Sequence, residues 1–358
     1  MSKRTYTLKK CKFEKATDED QIFVGLDVHK KSIHIAVRIN GKLIAAWVTS
    51  PGVRGVIAAM EPLRPGMKKV VYEAGPTGYS LARAMKKEGW PIEVVAPGKI
   101  PKEANTGSKS DRLDCRKLAE YAEKDLLKAI AIPTEQEEAD RQMVRLRDQL
   151  TKKQRRAKQQ IKGFLLQHGI DEPVGLSSWT KQSITALQDM ELRPELRFVL
   201  DALLEELKYL IQSVQRVEQQ ILQMAKEDRY WEKEARLETH PGVGFRTAMK
   251  FLTEIYQPDR FSEGRQVACY VGTAPLVRES GEKRREGPTI KAGQGELRRM
   301  LVQASWVWIQ RDPQAASVYR RLVRNSGCSQ KAIIGMARRM AVNLWCMLTR
   351  EENFQFAA

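Results

Sequence analysis

The chain has 358 residues, enough for two or three domains with cores of their own. Its 62 Lys plus Arg against 44 Asp plus Glu give a formal net charge of +18 and a pI near 9.7, which points to a polyanionic partner, nucleic acid ahead of a membrane surface. No apolar run has the length of a bilayer span and no signal-peptide pattern follows the polar, basic N-terminus, so a cytoplasmic protein is expected. The five scattered cysteines form no CxxC pair and have no His at ligand spacing, which sets aside a zinc site and a disulfide framework.

Residues 1–20 are charged without periodicity and read as a flexible basic tail. Two β-branched segments follow, Ile22 to Leu26 and Ile33 to Val37, flanking a polar turn at His29 to Lys31; they read as an antiparallel pair. Asn40-Gly41 is a hairpin signal that adds a third strand, Lys42 to Val48. Gly55 to Leu63 is helix-like, Lys69 to Tyr72 is a short buried strand ending on Glu73, Gly78 to Glu88 is a helix, and Pro91 to Val95 is another strand. A Gly/Pro-punctuated polar loop, Gly98 to Lys109, leads to a helix capped by Ser110 that carries Asp111 and Asp114 three apart on one face of its first turn.

A strand meander followed by alternating helix and strand matches an RNase H-like α/β domain over residues 21–132. Asp27 then lies at the end of a core strand, Glu73 at the end of a later strand, and Asp111 and Asp114 at a helix start, three points that this fold gathers at one sheet edge. Desolvating a carboxylate costs several kcal/mol, on the order of 5, unless something answers its charge. For four of them the natural answer is a pair of Mg²⁺ ions about 4 Å apart on hard oxygen ligands. Each acid alone has a structural explanation: a helix N-terminus for Asp111, a solvated face for Asp114, a turn cap for Glu73. Their conjunction with Asp27 is what favours a metal site.

From 133 to 236 the chain becomes helical. Residues 141–162 carry nine basic residues and one acid, Asp148, including Arg155 and Arg156, a surface suited to nucleic acid. A second helix shows Leu196, Leu200, Leu203, Leu207, Leu210, Val214, Val217, Ile221 and Met224 at alternating spacings of four and three, a coiled-coil seam that must bury against the first helix or a second protomer. The remainder, 237–358, is mainly α. It opens with a helix-hairpin-helix-like segment, Leu237 to Ile255, whose Gly242 and Gly244 would let backbone N–H groups approach a phosphate. Residues 281–287 are too polar for a core and read as a loop. Lys109, Lys283, Arg284, Arg285, Arg298 and Arg299 complete the candidate nucleic-acid contacts. Trp306, Trp308 and Trp345 read as core.

The ordered motifs GLDVHK with Asp27, YEAGPTGY with Glu73, KSDRLDCRKLAEY with Asp111 and Asp114, then HPGVG, YVGTAPLVRESG and IKAGQGELRRML resemble the DEDD transposases of the insertion-sequence 110 family, which also includes Piv-type DNA invertases. The resemblance runs from about residue 21 to 345. It implies a RuvC-like N-terminal domain binding Mg²⁺, a coiled-coil middle, and a C-terminal transposase domain supplying a serine nucleophile, by motif position Ser280. It also implies donor and target DNA as substrates, a structured bridge RNA that selects both sites, a homodimer or homotetramer, and a nucleoid-associated cytoplasmic location. The residues alone support Ser280 in part, as a hydroxyl in a Gly-flanked loop beside Lys283, Arg284 and Arg285. Ser305, among Ala304, Trp306 and Val307, is a rival that looks like packing.

Two other readings stay open at this level. One is a RuvC-type Mg²⁺-dependent endonuclease in which water attacks; the other is a basic architectural or RNA-binding protein whose acids are structural.

Overall fold

A computed structural model describes residues 16–101, 111–280, 283–289 and 293–356. The chain divides into two compact units, Met1–Thr134 and Glu135–Ala358.

The first unit contains β1 (Ile22–Val28), β2 (Ile33–Ile39), β3 (Lys42–Thr49), α1 (Val53–Met60), β4 (Met67–Glu73), α2 (Ser80–Lys87), β5 (Ile92–Val95) and α3 (Asp111–Glu123). The sheet order is β3-β2-β1-β4-β5, with β1 to β3 an antiparallel meander and β4 and β5 parallel to β1. The order is compatible with an RNase H-like domain. Strand alternation decides which residues face which layer. Ile22, Val24 and Leu26 join Ile35, Val70 and Tyr72 in a core closed by Val56, Met60, Leu81 and Met85. On the opposite face Phe23, Val71 and Val95 pack against Leu118, Tyr121 and Ala122 of α3. Each such side chain contributes about 1.5–3 kcal/mol by leaving water.

Gly25 sets how closely α3 approaches. A Cβ there would lie 2.0 Å from the Cys115 carbonyl oxygen and 2.6 Å from the Ala119 nitrogen. Only a residue without a side chain lets the helix backbone rest directly on β1.

The second unit contains α4 (Glu135–Gln167), α5 (Lys181–Gln188), α6 (Pro194–Ala225), α7 (Trp231–Glu238), α8 (Phe245–Ile255), α9 (Gly264–Val271), β6 (Pro275–Ser280), β7 (Lys283–Thr289), α10 (Gly295–Arg311), α11 (Pro313–Ser326) and α12 (Ser329–Arg350). The leucine-rich stripe of α6 finds a partner within its own chain. Leu200, Leu204, Leu207 and Leu210 pack on Ala157, Ile161, Phe164 and Leu165 of α4. At the other end Ile221 and Met224 share a core with Val144, so the two helices run antiparallel. That core continues through Phe251, Leu297, Leu301, Met336, Met340 and Leu344, joining the α4–α6 pair to the C-terminal helices.

Three local expectations need correction. Trp306, read as core, is exposed on α10 while Trp308 is buried. Residues 283–287, read as loop, belong to β7, which pairs with β6 in a two-stranded ribbon; a charged ribbon has no apolar alternation by which to announce itself. Helix α11 was not anticipated, although its stop signals are in the sequence. Asp312 caps it through Oδ1, which accepts from the Gln314 and Ala315 amides at 2.9 and 3.3 Å, and Gly327 ends it at φ 61°. Among the described residues no helix is long and apolar enough to cross a membrane.

Candidate active site

The parallel register of β1 and β4 pairs Leu26 with Tyr72, so Asp27 and Glu73 follow at the same end of neighbouring strands. Period-two alternation puts both on the α3 face, Asp27 after Phe23 and Gly25, Glu73 after Val71. Asp111 opens α3 and Asp114 stands in its first turn, one residue before the Cys115 whose carbonyl rests on Gly25. Sheet pairing and helix docking thus direct three parts of the first unit toward one place. The Asp111 side chain lies outside the described residues, as do Lys109 and the Ser110 cap.

Cys115 gives an independent mark of this geometry. Burial, and after it the charge of Asp27, pushes its thiol up to about 11, so Asp27 is felt at the start of α3. The Asp27 carboxylate is also engaged by His29, with Nε2 2.9 Å from Oδ2. The ring of His34, the cross-strand partner of Asp27, stands T-shaped to His29 at 6.1 Å. Sequence reasoning placed His29 only in a turn; its two-residue offset from Asp27 was the available signal.

Among the described residues no three His, Cys, Asp or Glu side chains close into a metal cage. The carboxylate oxygens that Asp27, Glu73 and Asp114 carry are nonetheless the donors that a hard divalent cation takes. The Asp27 charge that helps raise the Cys115 thiol places that carboxylate near the start of α3.

Ser280 belongs to the second unit. It closes β6 opposite Lys283 of β7, with Glu279 opposite Arg284 and Arg278 opposite Arg285. The side chains of 277–286 are outside the described residues, so the backbone alone gives this placement. Ser280 therefore stands at a strand end rather than in a free loop. Ser305 is fully buried and donates its hydroxyl to the Leu301 carbonyl at 2.7 Å, a packing role.

The nucleic-acid candidates divide. Arg155 and Arg156 are exposed on α4, but Arg141 is buried over the Tyr256 ring, and Arg147 is held by Glu218 at 2.9 Å. Gly242, at φ +86°, faces the α10 backbone: a Cβ would lie 2.2 Å from the Ala304 carbonyl oxygen. Helix packing accounts for that glycine, and of the pair only Gly244, which precedes α8, is open. Arg298 donates to the Gly272 carbonyl at 3.2 Å and Arg299 to Glu296 at 3.1 Å.

Sequence reasoning also missed a buried ionic network. Lys250 lies between Asp148 at 2.8 Å and Glu254 at 3.2 Å, and Glu254 receives both arms of Arg145 at 2.7 and 2.8 Å. Despite its burial the Glu254 carboxyl is held below the ordinary carboxylate range by Arg145 and Lys250. The available signal was Lys250 and Glu254 one turn apart among the mostly apolar buried residues of α8.

Residues 24–170 match a DEDD transposase family of the IS110 type, described as "Transposase", and residues 234–320 match the "Transposase IS116/IS110/IS902 family". A Sinorhizobium fredii protein named as a transposase, y4qE, is 30% identical over 81% of this chain and 73% of its own length. The transposase for insertion sequence element IS1533 of Leptospira borgpetersenii is 28% identical over 80% of this chain and 85% of its own. The transposase for insertion sequence element IS1111A of Coxiella burnetii is 24% identical over 81% and 80%. The matched segments take in both the acid-bearing strands and most of the helices that carry the serine ribbon, and on that likeness the chain belongs to the IS110 family of transposases.

Proposed function

We propose that this transposase cuts and rejoins DNA strands through a covalent 5′-phosphoserine intermediate on Ser280, with Asp27, Glu73, Asp111 and Asp114 holding Mg²⁺. The observation that carries the reading is the placement of Asp27 and Glu73 at one end of neighbouring parallel strands, with the first turn of α3 beside that face. Attack by the Ser280 hydroxyl would form one phosphate ester and break another, releasing a 3′ hydroxyl. A 3′ hydroxyl from another strand would reverse the exchange, so the ester energy is retained. Lys283, Arg284 and Arg285, on the strand paired with that of Ser280, would offset charge developing on the phosphate. When bound, Mg²⁺ would act as a Lewis acid at the scissile phosphate.

Site selection by a structured bridge RNA, and assembly as a dimer or tetramer, rest on the motif resemblance and on the net charge of +18. Sequencing the RNA that co-purifies with the protein tests the first; recovery of cellular RNA without enrichment of one species would remove it.

The decisive experiment is Ser280→Ala with denaturing-gel analysis of DNA ends. The protein–DNA adduct should vanish while nucleic-acid binding persists; an adduct of unchanged yield excludes Ser280. A second reading, a Mg²⁺-dependent nuclease using water, is favoured by one observation: all four acids lie in a unit that does not include Ser280. It predicts cleavage with no protein attached to either end.

A further inference from the structure

The ribbon that bears Ser280 is rooted between Tyr270 of α9 and Gln294, just before α10, and both roots are tied to neighbouring helices. The Gln294 amide donates to the Tyr270 carbonyl at 3.2 Å. The Tyr270 hydroxyl donates to the Glu254 carbonyl at 3.0 Å, and Arg298 donates to the Gly272 carbonyl at 3.2 Å. Side chains of the basic helix α4 reach this root. Arg145 donates from Nε and Nη2 to the two Glu254 carboxylate oxygens at 2.8 and 2.7 Å, and Nη2 is also 3.4 Å from Oε1 of Gln294. Behind it Lys250 and Asp148 hold Glu254 in place, with Lys250 and Glu254 almost wholly buried. Lys152, two turns along α4, pairs with Glu296 at 2.5 Å in the first turn of α10.

We propose that Arg145 is a positioning residue for the Ser280 ribbon, bracing its root against α4 so that nucleic acid held on the exposed Arg155 and Arg156 face is aligned with the serine. The planar guanidinium is what makes this possible, because it satisfies both oxygens of Glu254 and still presents an N–H to Gln294. A lysine would keep the charge and lose the fork. Buried ion pairs add little net stability for their number, so a network of this kind, between a candidate nucleic-acid helix and the ribbon root, fits a role in geometry. The inference rests on the assignment of Ser280 as nucleophile.

The test uses the full-length protein carrying Arg145→Lys or Gln294→Ala, with Ser280→Ala alongside. Three quantities are read: the rate of DNA adduct formation, nucleic-acid affinity, and amide hydrogen exchange over residues 275–289. Misplacing a reacting group by about 1 Å lowers rates on the order of 100-fold, so both variants should slow adduct formation by about tenfold or more. Affinity should stay within about twofold, and exchange in the ribbon should be faster. Gln294→Ala leaves the buried Arg145–Glu254–Lys250 set intact, so a defect there is not a folding defect. Unchanged adduct rates in both variants, or a rate loss matched by an equal loss of affinity, would overturn the proposal. If Ser280→Ala still forms the adduct, the nucleophile assignment fails by itself; ribbon exchange, which needs no chemistry, then decides whether Arg145 braces the root, and unchanged exchange would refute that as well.

Discussion

Both units gather carboxylates, and they answer them differently. In the second unit the answer is built into the chain: Asp148, Glu254 and Asp140 each meet a Lys or Arg, the last through Arg229 at 2.9 Å with the Tyr230 hydroxyl also donating at 2.9 Å. In the first unit Asp27 meets a half-exposed histidine, and Glu73 and the start of α3 converge on the same face. Acids matched by fixed cations add little net stability as pairs, yet removing one strands its buried partner at a cost. On the proposed reading, the acids at the sheet end serve a bound cation, so replacing one should cost the site more than the fold.

The sharpest way to break this comparison is Asp27→Asn. If Asp27 holds the metal as proposed, strand cleavage should fall by about 1000-fold or more at any Mg²⁺ concentration, while the melting temperature holds or rises; retained cleavage would undo the metal assignment. Glu254→Gln should behave oppositely. It leaves Lys250 buried with less than its full answer and should lower the unfolding free energy by about 3–5 kcal/mol in urea titrations. A loss under about 1 kcal/mol would show that the two sets of acids do not differ in kind.

His240 supplies a smaller effect that depends on pH. It is fully buried between Trp308 and Phe354, and burial lowers its pKa to about 4 from 6.5. The unfolded chain therefore binds a proton more readily than the folded one between those values. Stability is complete above pH 6.5 and declines as pH falls toward 4, by up to about 3 kcal/mol in all. His240→Gln should flatten that slope in denaturation measured across the window; an unchanged slope would assign it to other groups. The smallest effect belongs to Ser305→Ala, which removes one buried hydrogen bond worth about 1 kcal/mol and should leave adduct formation untouched. Loss of the adduct there would move the nucleophile from Ser280 to Ser305.

The first unit was largely legible because its signals are local. Alternation in IFVGLDV and IHIAVRI places alternate residues on opposite faces, and the Asn40-Gly41 turn is present with both residues at positive φ, 47° and 84°. The positions of Asp27 and Glu73 at strand ends follow from the same pattern. The second unit was legible in its helices and opaque in its charges. Among the nine basic residues of 141–162, Arg155 looks no different in sequence from Arg145, yet one faces water and the other grips a buried glutamate.

The sequence by itself determined the elements that depend on near neighbours: the meander, the amphipathic α4 and α6, and which strands end in acids, since periodicity needs only a few successive residues. Tertiary structure decided which groups meet across the chain. Arg145 finds Glu254 109 positions away, the seam of α6 closes on α4, Gly25 admits α3 onto β1, and the charged ribbon of Ser280 pairs at all. Each of these depends on where the chain returns, and a contact between distant segments is set by the packing of everything between them.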